Sequence, residues 1–157
     1  MKLEEHARSS ARATLVSALV FAAIALVAPP ARSELPKAWV GSWYTEAKED
    51  KEVAGEKYDI RRELLVNRGD GTKTNTFRYY NRGKLVREFV VTYRWGVDSR
   101  TYWTVCQTVL VSGEGTPCST RFEYDVISVT DREIRYKSRQ TGIEYSAIRV
   151  ADDFKLP

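Results

Sequence analysis

From Trp39 onward the chain alternates apolar and polar residues in short runs, separated by compact turn signals. A period of two puts one side of each run against a core and is the pattern of half-buried β-strands. The first run is Trp39 to Glu46; Ala47 to Lys57 is charge-rich, lacks periodicity and reads as a connector. Tyr58 to Asn67 forms a second strand, and Arg68-Gly69-Asp70-Gly71 turns into a third, Thr72 to Tyr80. Beyond Asn81-Arg82-Gly83, the run Leu85 to Trp95 carries Leu85, Phe89, Val91, Tyr93 and Trp95 on one side. Gly96 to Arg100 reads as a turn, and Tyr102 to Val111 places Trp103, Val105, Val109 and Val111 on one face. Arg121 to Val129, Glu133 to Arg139 and Ile143 to Val150 complete the series, with turns at Thr130-Asp131 and Thr141-Gly142.

Links this short cannot make a parallel crossover, so the strands should pair sequentially and antiparallel. The predicted fold class is all-β: an eight-stranded antiparallel up-and-down β-barrel, whose closure leaves no exposed edge strand. A two-sheet sandwich is the rival arrangement for many short, evenly spaced strands.

The N-terminus follows a different logic. Lys2, Arg8 and Arg12 precede an uncharged apolar run from Ala13 to Ala28, and Pro29-Pro30-Ala31-Arg32-Ser33 follows. This is the layout of a signal peptide over residues 1–33, leaving a barrel domain over residues 34–157. The apolar run is shorter than the ~20 residues a spanning helix needs. Cleavage after Ala31 or Ser33 is therefore expected, with an uncleaved anchor as the alternative. The mature protein would then be exported, periplasmic or secreted, with no membrane span.

Removing the leader takes away four basic and two acidic residues, so the formal net charge falls from +4 to +2. Both signs are interspersed along every segment, unlike the clustered basic face of a nucleic-acid binder. The two cysteines, Cys106 and Cys118, both lie in the mature part. Export exposes them to an oxidising compartment, and a hairpin centred near Ser112 would bring them opposite each other. A disulfide is expected, with two unpaired buried thiols as the alternative.

The catalytic inventory is thin. The one histidine, His6, lies in the leader, and no Gly-x-Ser-x-Gly or phosphate-cradling glycine loop occurs. No catalytic residue, metal site or cofactor is assigned, and the chain is not expected to be an enzyme. Glu123, Asp125 and Glu133 read as the polar sides of strands, and Arg68-Gly69-Asp70 as a hairpin turn.

Polar residues on otherwise apolar faces bear most on a ligand. Arg62 lies between Ile60 and Leu64, Arg87 between Leu85 and Phe89, and Gln107 between Val105 and Val109. Burying such groups is costly unless they are paired. Neighbouring carboxylates or a position at the barrel mouth would satisfy them. Alternatively, Arg62 and Arg87 hold the acidic head of an amphipathic ligand, with Phe89, Tyr93, Trp95, Trp103, Phe122 and Tyr136 around its apolar body.

Gly41-x-Trp43 on the first strand of an exported eight-stranded barrel resembles the opening motif of lipocalins and bacterial lipocalin-like domains, of calycin type. Thr130-Asp131 between the sixth and seventh strands, and Arg149 on the last, match the family in part; Arg132 stands where it often has tyrosine. The resemblance implies a closed barrel whose open end admits a small hydrophobic molecule, and an arginine packed over the motif tryptophan. A guanidinium lying on an indole gains about 0.5–2 kcal/mol, so Gly41, Trp43 and Arg149 are read as structural. A carrier of a small hydrophobic, amphipathic or anionic molecule ranks first among the functions. A protein-binding barrel, such as an inhibitor of a secreted enzyme, comes next, and an enzyme using a carboxylate or tyrosine last.

Overall fold

Hairpin follows hairpin in this chain, as its short antiparallel links require. The computed structural model describes residues 36–157; the predicted leader, residues 1–33, lies outside the described residues. After a 3-10 turn at Lys37–Trp39 come β1 (Gly41–Val53), β2 (Glu56–Asn67), β3 (Thr72–Asn81), β4 (Lys84–Asp98) and β5 (Thr101–Val111). They are followed by β6 (Glu114–Pro117), β7 (Arg121–Val129), β8 (Glu133–Ser138) and β9 (Glu144–Val150). Pairing runs β1–β2–β3–β4–β5–β7–β8–β9 and returns to β1, a closed eight-stranded antiparallel barrel, with β6 added outside the ring against β5. Among the described residues no helix is long and apolar enough to cross a membrane.

Two expected links are strand instead. The connector over Ala47 to Lys57 is the paired upper part of β1 and β2, turned at Ala54 and Gly55, both with positive φ. Its charges obscured the strand period without preventing pairing. Gly96 lies inside β4, opposite Trp103. A Cβ there would sit 2.4 Å from the Trp103 ring, so this glycine permits a close approach within the sheet rather than a turn.

Two β-bulges reset which side chains face inward, because one extra residue reverses the alternation beyond it. In β4, Tyr79 pairs with Arg87 but Tyr80 with Leu85, so Val86 is the extra residue and Leu85 points away from the Arg87 and Phe89 face. In β5, Tyr93 pairs with Cys106 but Thr92 with Thr108, so Gln107 is extra. Val109 and Val111 thus share the inner face with Tyr102, Thr104 and Cys106, whereas Trp103 and Val105 lie outside.

Trp39, Trp43, Leu65, Trp95, Tyr102 and Ile134 form a core that fills one end of the barrel. The Trp43 and Asn67 side-chain nitrogens both donate to the Trp39 carbonyl, at 3.0 Å each, fastening the 3-10 turn across this end. The walls are unequal. β1, β2 and β4 have 13, 12 and 15 residues, but β8 and β9 only 6 and 7, and β1 pairs with β9 only through Ser42, Trp43 and Tyr44. The barrel is closed below and low on the β7–β9 side above.

The chain after β9 crosses the outside of the sheet. Leu156 is buried there, Phe154 packs on Tyr44, and Arg78 donates to the Leu156 carbonyl at 2.6 Å. Leu64 and Thr76 lie beneath this strap, which explains why the outer face of β2 is apolar. Cys106 and Cys118 form a disulfide, Cα to Cα 5.4 Å, across the base of the β5–β6 hairpin.

Candidate functional site

Above the filled end, the barrel encloses a cavity of about 180 Å³. Its polar lining comes from β2 and β3. Arg61 and Glu63 alternate with outward Arg62 and Leu64, and Lys73 and Asn75 alternate with outward threonines 72, 74 and 76. Its aromatic lining comes from Phe77, Tyr93, Phe122, Tyr124, Tyr136 and Tyr145.

The polar groups are deeply buried: Glu63, Lys73 and Asn75 are 7%, 4% and 5% exposed. Lys73 Nζ donates to the Tyr102 hydroxyl at 2.7 Å and lies 5.5 Å and 5.2 Å from the centroids of the Tyr93 and Tyr102 rings. No carboxylate is in ion-pair contact with it among the described residues. Burial pushes its ammonium down to about 8, against the pull of Glu63. One layer nearer the mouth, Asn75 Nδ2 donates to Glu63 Oε1 at 2.7 Å, and burial raises the Glu63 carboxyl above its usual range. Asn75 Oδ1, also buried, accepts no hydrogen bond from any described group. Burial raises Tyr102 and Tyr136 well above the ordinary phenol value, so both remain neutral hydrogen-bonding groups at physiological pH.

Charge is balanced toward the mouth. Arg61 pairs with Glu49 at 3.3 Å, and Arg87 pairs with Glu56 at 2.8 Å. Tyr79 stands between the Tyr58 and Phe89 rings in edge contacts.

Of the sequence-predicted ligand residues, Tyr93, Phe122 and Tyr136 line the cavity, and Phe89 faces inward above it, opposite Phe77. Trp95 belongs to the filled end, its indole donating to the Arg68 and Thr72 carbonyls. Three further residues of that set lie outside the cavity. Arg62 faces outward, bound to Glu46 at 2.8 Å and to the Pro157 carbonyl at 3.2 Å, because Leu64 beside it lies under the strap rather than in the interior. Trp103 lies on the outer wall, donating to Asp98 and stacked under Arg121, and Gln107 is the exposed bulge residue of β5; the bulge splits the face on which both had been placed. Arg87 stands at the mouth paired with Glu56, the position and the kind of partner that the sequence allowed for it.

Arg61, Glu63, Lys73, Asn75, Phe77, Thr104, Tyr124 and Tyr145 were missed. The β3–β4 hairpin held the signal for two of them, since its register sets Lys73 opposite Tyr93 and Asn75 opposite Val91, both already assigned to the inner face. Among the described residues no group of three or more His, Cys, Asp or Glu side chains could hold a metal ion. Trp43 and Arg149 stack at 4.1 Å at the filled end, away from the cavity. No protein-family model, curated protein or solved structure matches the chain significantly, so its function is argued from the cavity itself.

Proposed function

We propose that the protein is an exported, lipocalin-like barrel that binds a small amphipathic molecule in its interior and is not an enzyme. The observation that carries this reading is the cavity with its buried Lys73 and the unpartnered Asn75 Oδ1 among aromatic walls. A buried polar atom without a partner costs about 1–3 kcal/mol, and a barrel of this size can instead be filled with apolar side chains. Retaining Lys73, Asn75 and Glu63 inside makes sense when an occupant engages them. The Gly41-x-Trp43 and Arg149 arrangement supports the lipocalin-like reading, and the disulfide supports export to an oxidising compartment.

Protein purified under mild conditions from the exported fraction tests this. Organic extraction followed by mass spectrometry should release a small molecule at close to one per chain, and adding it back should raise the melting temperature. If nothing is released and no compound from a small-molecule screen raises the melting temperature, the binding reading fails.

A further inference from the structure

Resting on the reading of this barrel as a small-molecule binder, we propose that its occupant is a one-ring molecule with an acidic group at one end and a hydroxyl or N–H donor at the other. The acid meets Lys73 and the donor meets Asn75 Oδ1.

Size comes first. An apolar cavity of about 150 Å³ holds one benzene molecule, so the 180 Å³ here, open toward the mouth, matches one ring with short substituents. The walls favour a ring as well: Phe77, Tyr93, Phe122 and Tyr136 surround the space, and aromatic rings gain from edge and offset contacts with one another.

The polar groups then fix the ends. Lys73 is the one lining cation without a carboxylate in contact among the described residues, since Arg61 is held by Glu49. An ammonium can donate three hydrogen bonds, and one goes to Tyr102. An acidic group on the ligand supplies the missing acceptor and counter-charge. Asn75 gives one amide N–H to Glu63 and leaves Oδ1 without a partner, and that oxygen requires a donor. The two anchoring residues lie two apart on one face of β3, their backbones about 6.6 Å apart along the strand, so both side chains reach the same one-ring space. A ligand with a cationic end is disfavoured beside Lys73, whose ammonium has no carboxylate in contact among the described residues.

The test is calorimetric titration of the full-length exported protein with 4-hydroxybenzoate, benzoate, phenol and dodecanoate, each alongside thermal melts. The expected result is one 4-hydroxybenzoate per chain, bound about tenfold or more tighter than benzoate, which lacks the donor, or phenol, which lacks the acid. Lys73→Met should abolish the preference over phenol, and Asn75→Ala the preference over benzoate. If either variant fails to fold, the four-probe series on the parent decides alone. Tighter binding of dodecanoate, or equal binding of the three ring compounds, overturns the one-ring acid while leaving a binding barrel in place. If no probe binds and extraction releases nothing, both readings fall.

Discussion

Arg149 lies flat on Trp43, its guanidinium carbon 4.1 Å from the indole centroid, while its nitrogens donate to the carbonyls of Ala38, Val40 and Asp131. One side chain thus ties the entry to β1, the β7–β8 turn and the last strand together over a tryptophan with no exposed surface. Trp43→Ala should destabilise the fold by about 3–5 kcal/mol. Denaturant unfolding measures this, and a parent-like midpoint would contradict the assignment.

Gly41 belongs to the same joint. Its φ is +127°, and a Cβ would stand 2.4 Å from an Arg149 guanidinium nitrogen. Gly41→Ala should therefore cost about 1–3 kcal/mol through backbone strain alone, and more through displacement of Arg149. A double-mutant cycle with Arg149→Met should give a cost smaller than the sum of the two single changes.

The disulfide closes a separation of 12 residues. Its loss should lower stability by about 2–3 kcal/mol in the chain-entropy picture. Unfolded, unreduced protein from the exported fraction should resist thiol alkylation completely, and equilibrium unfolding with and without reductant gives the magnitude.

Lys73 gives the interior a pH signature. Its folded value, about 8, lies below the 10.5 of the unfolded chain, so between these values the unfolded state binds more protons and stability rises with pH. The full cost of burying the ammonium applies below about pH 8 and is relieved as pH climbs, on the order of 3 kcal/mol in all. Between pH 7.5 and 9, where unfolded tyrosines are still about nine-tenths or more protonated, the parent should gain stability relative to Lys73→Met. The neighbours Arg61, Tyr93 and Tyr102 hold constant charge across this window. A parent profile as flat as the variant's would mean the amine is already neutral or well solvated.

On the outer face, Leu156→Ala should cost about 2 kcal/mol, as a buried leucine does when truncated. Arg62→Met should cost less than about 1 kcal/mol, because its pair with Glu46 is partly solvated, and should leave interior binding unchanged. Paired melts and probe titrations separate the two effects.

Much of the architecture was legible because the period of two survives along most strands and the glycine-rich turns punctuate it. Leu85 and Gln107 show where that reading breaks: a bulge beside each changes side, and nothing in local composition announces an extra residue. Arg62 shows a second limit. Its apolar neighbours were evidence of burial, but the cover is the strap ending at Leu156 and Pro157, a contact between residues far apart in sequence. The interior polar set was overlooked for a related reason. In Lys73-Thr74-Asn75-Thr76 both faces are polar, so only the register with β4 tells inside from outside.

The short β9 leaves the upper part of β1 without a neighbour on that side, from Thr45 to Val53. Bare strand edges recruit other strands, and two copies of this chain could otherwise zip together along that rim. Glu46, Lys48, Asp50, Lys51 and Glu52 are all exposed there, and such charges would have to be stripped of water before a foreign strand could dock. The other flank is blunted by the brevity of β6 and by Pro117, which lacks an amide hydrogen to offer. The stretch that looked least like a strand is thus the one whose composition guards a strand from self-association, and the low wall can stay open as a doorway without becoming a seed for aggregates.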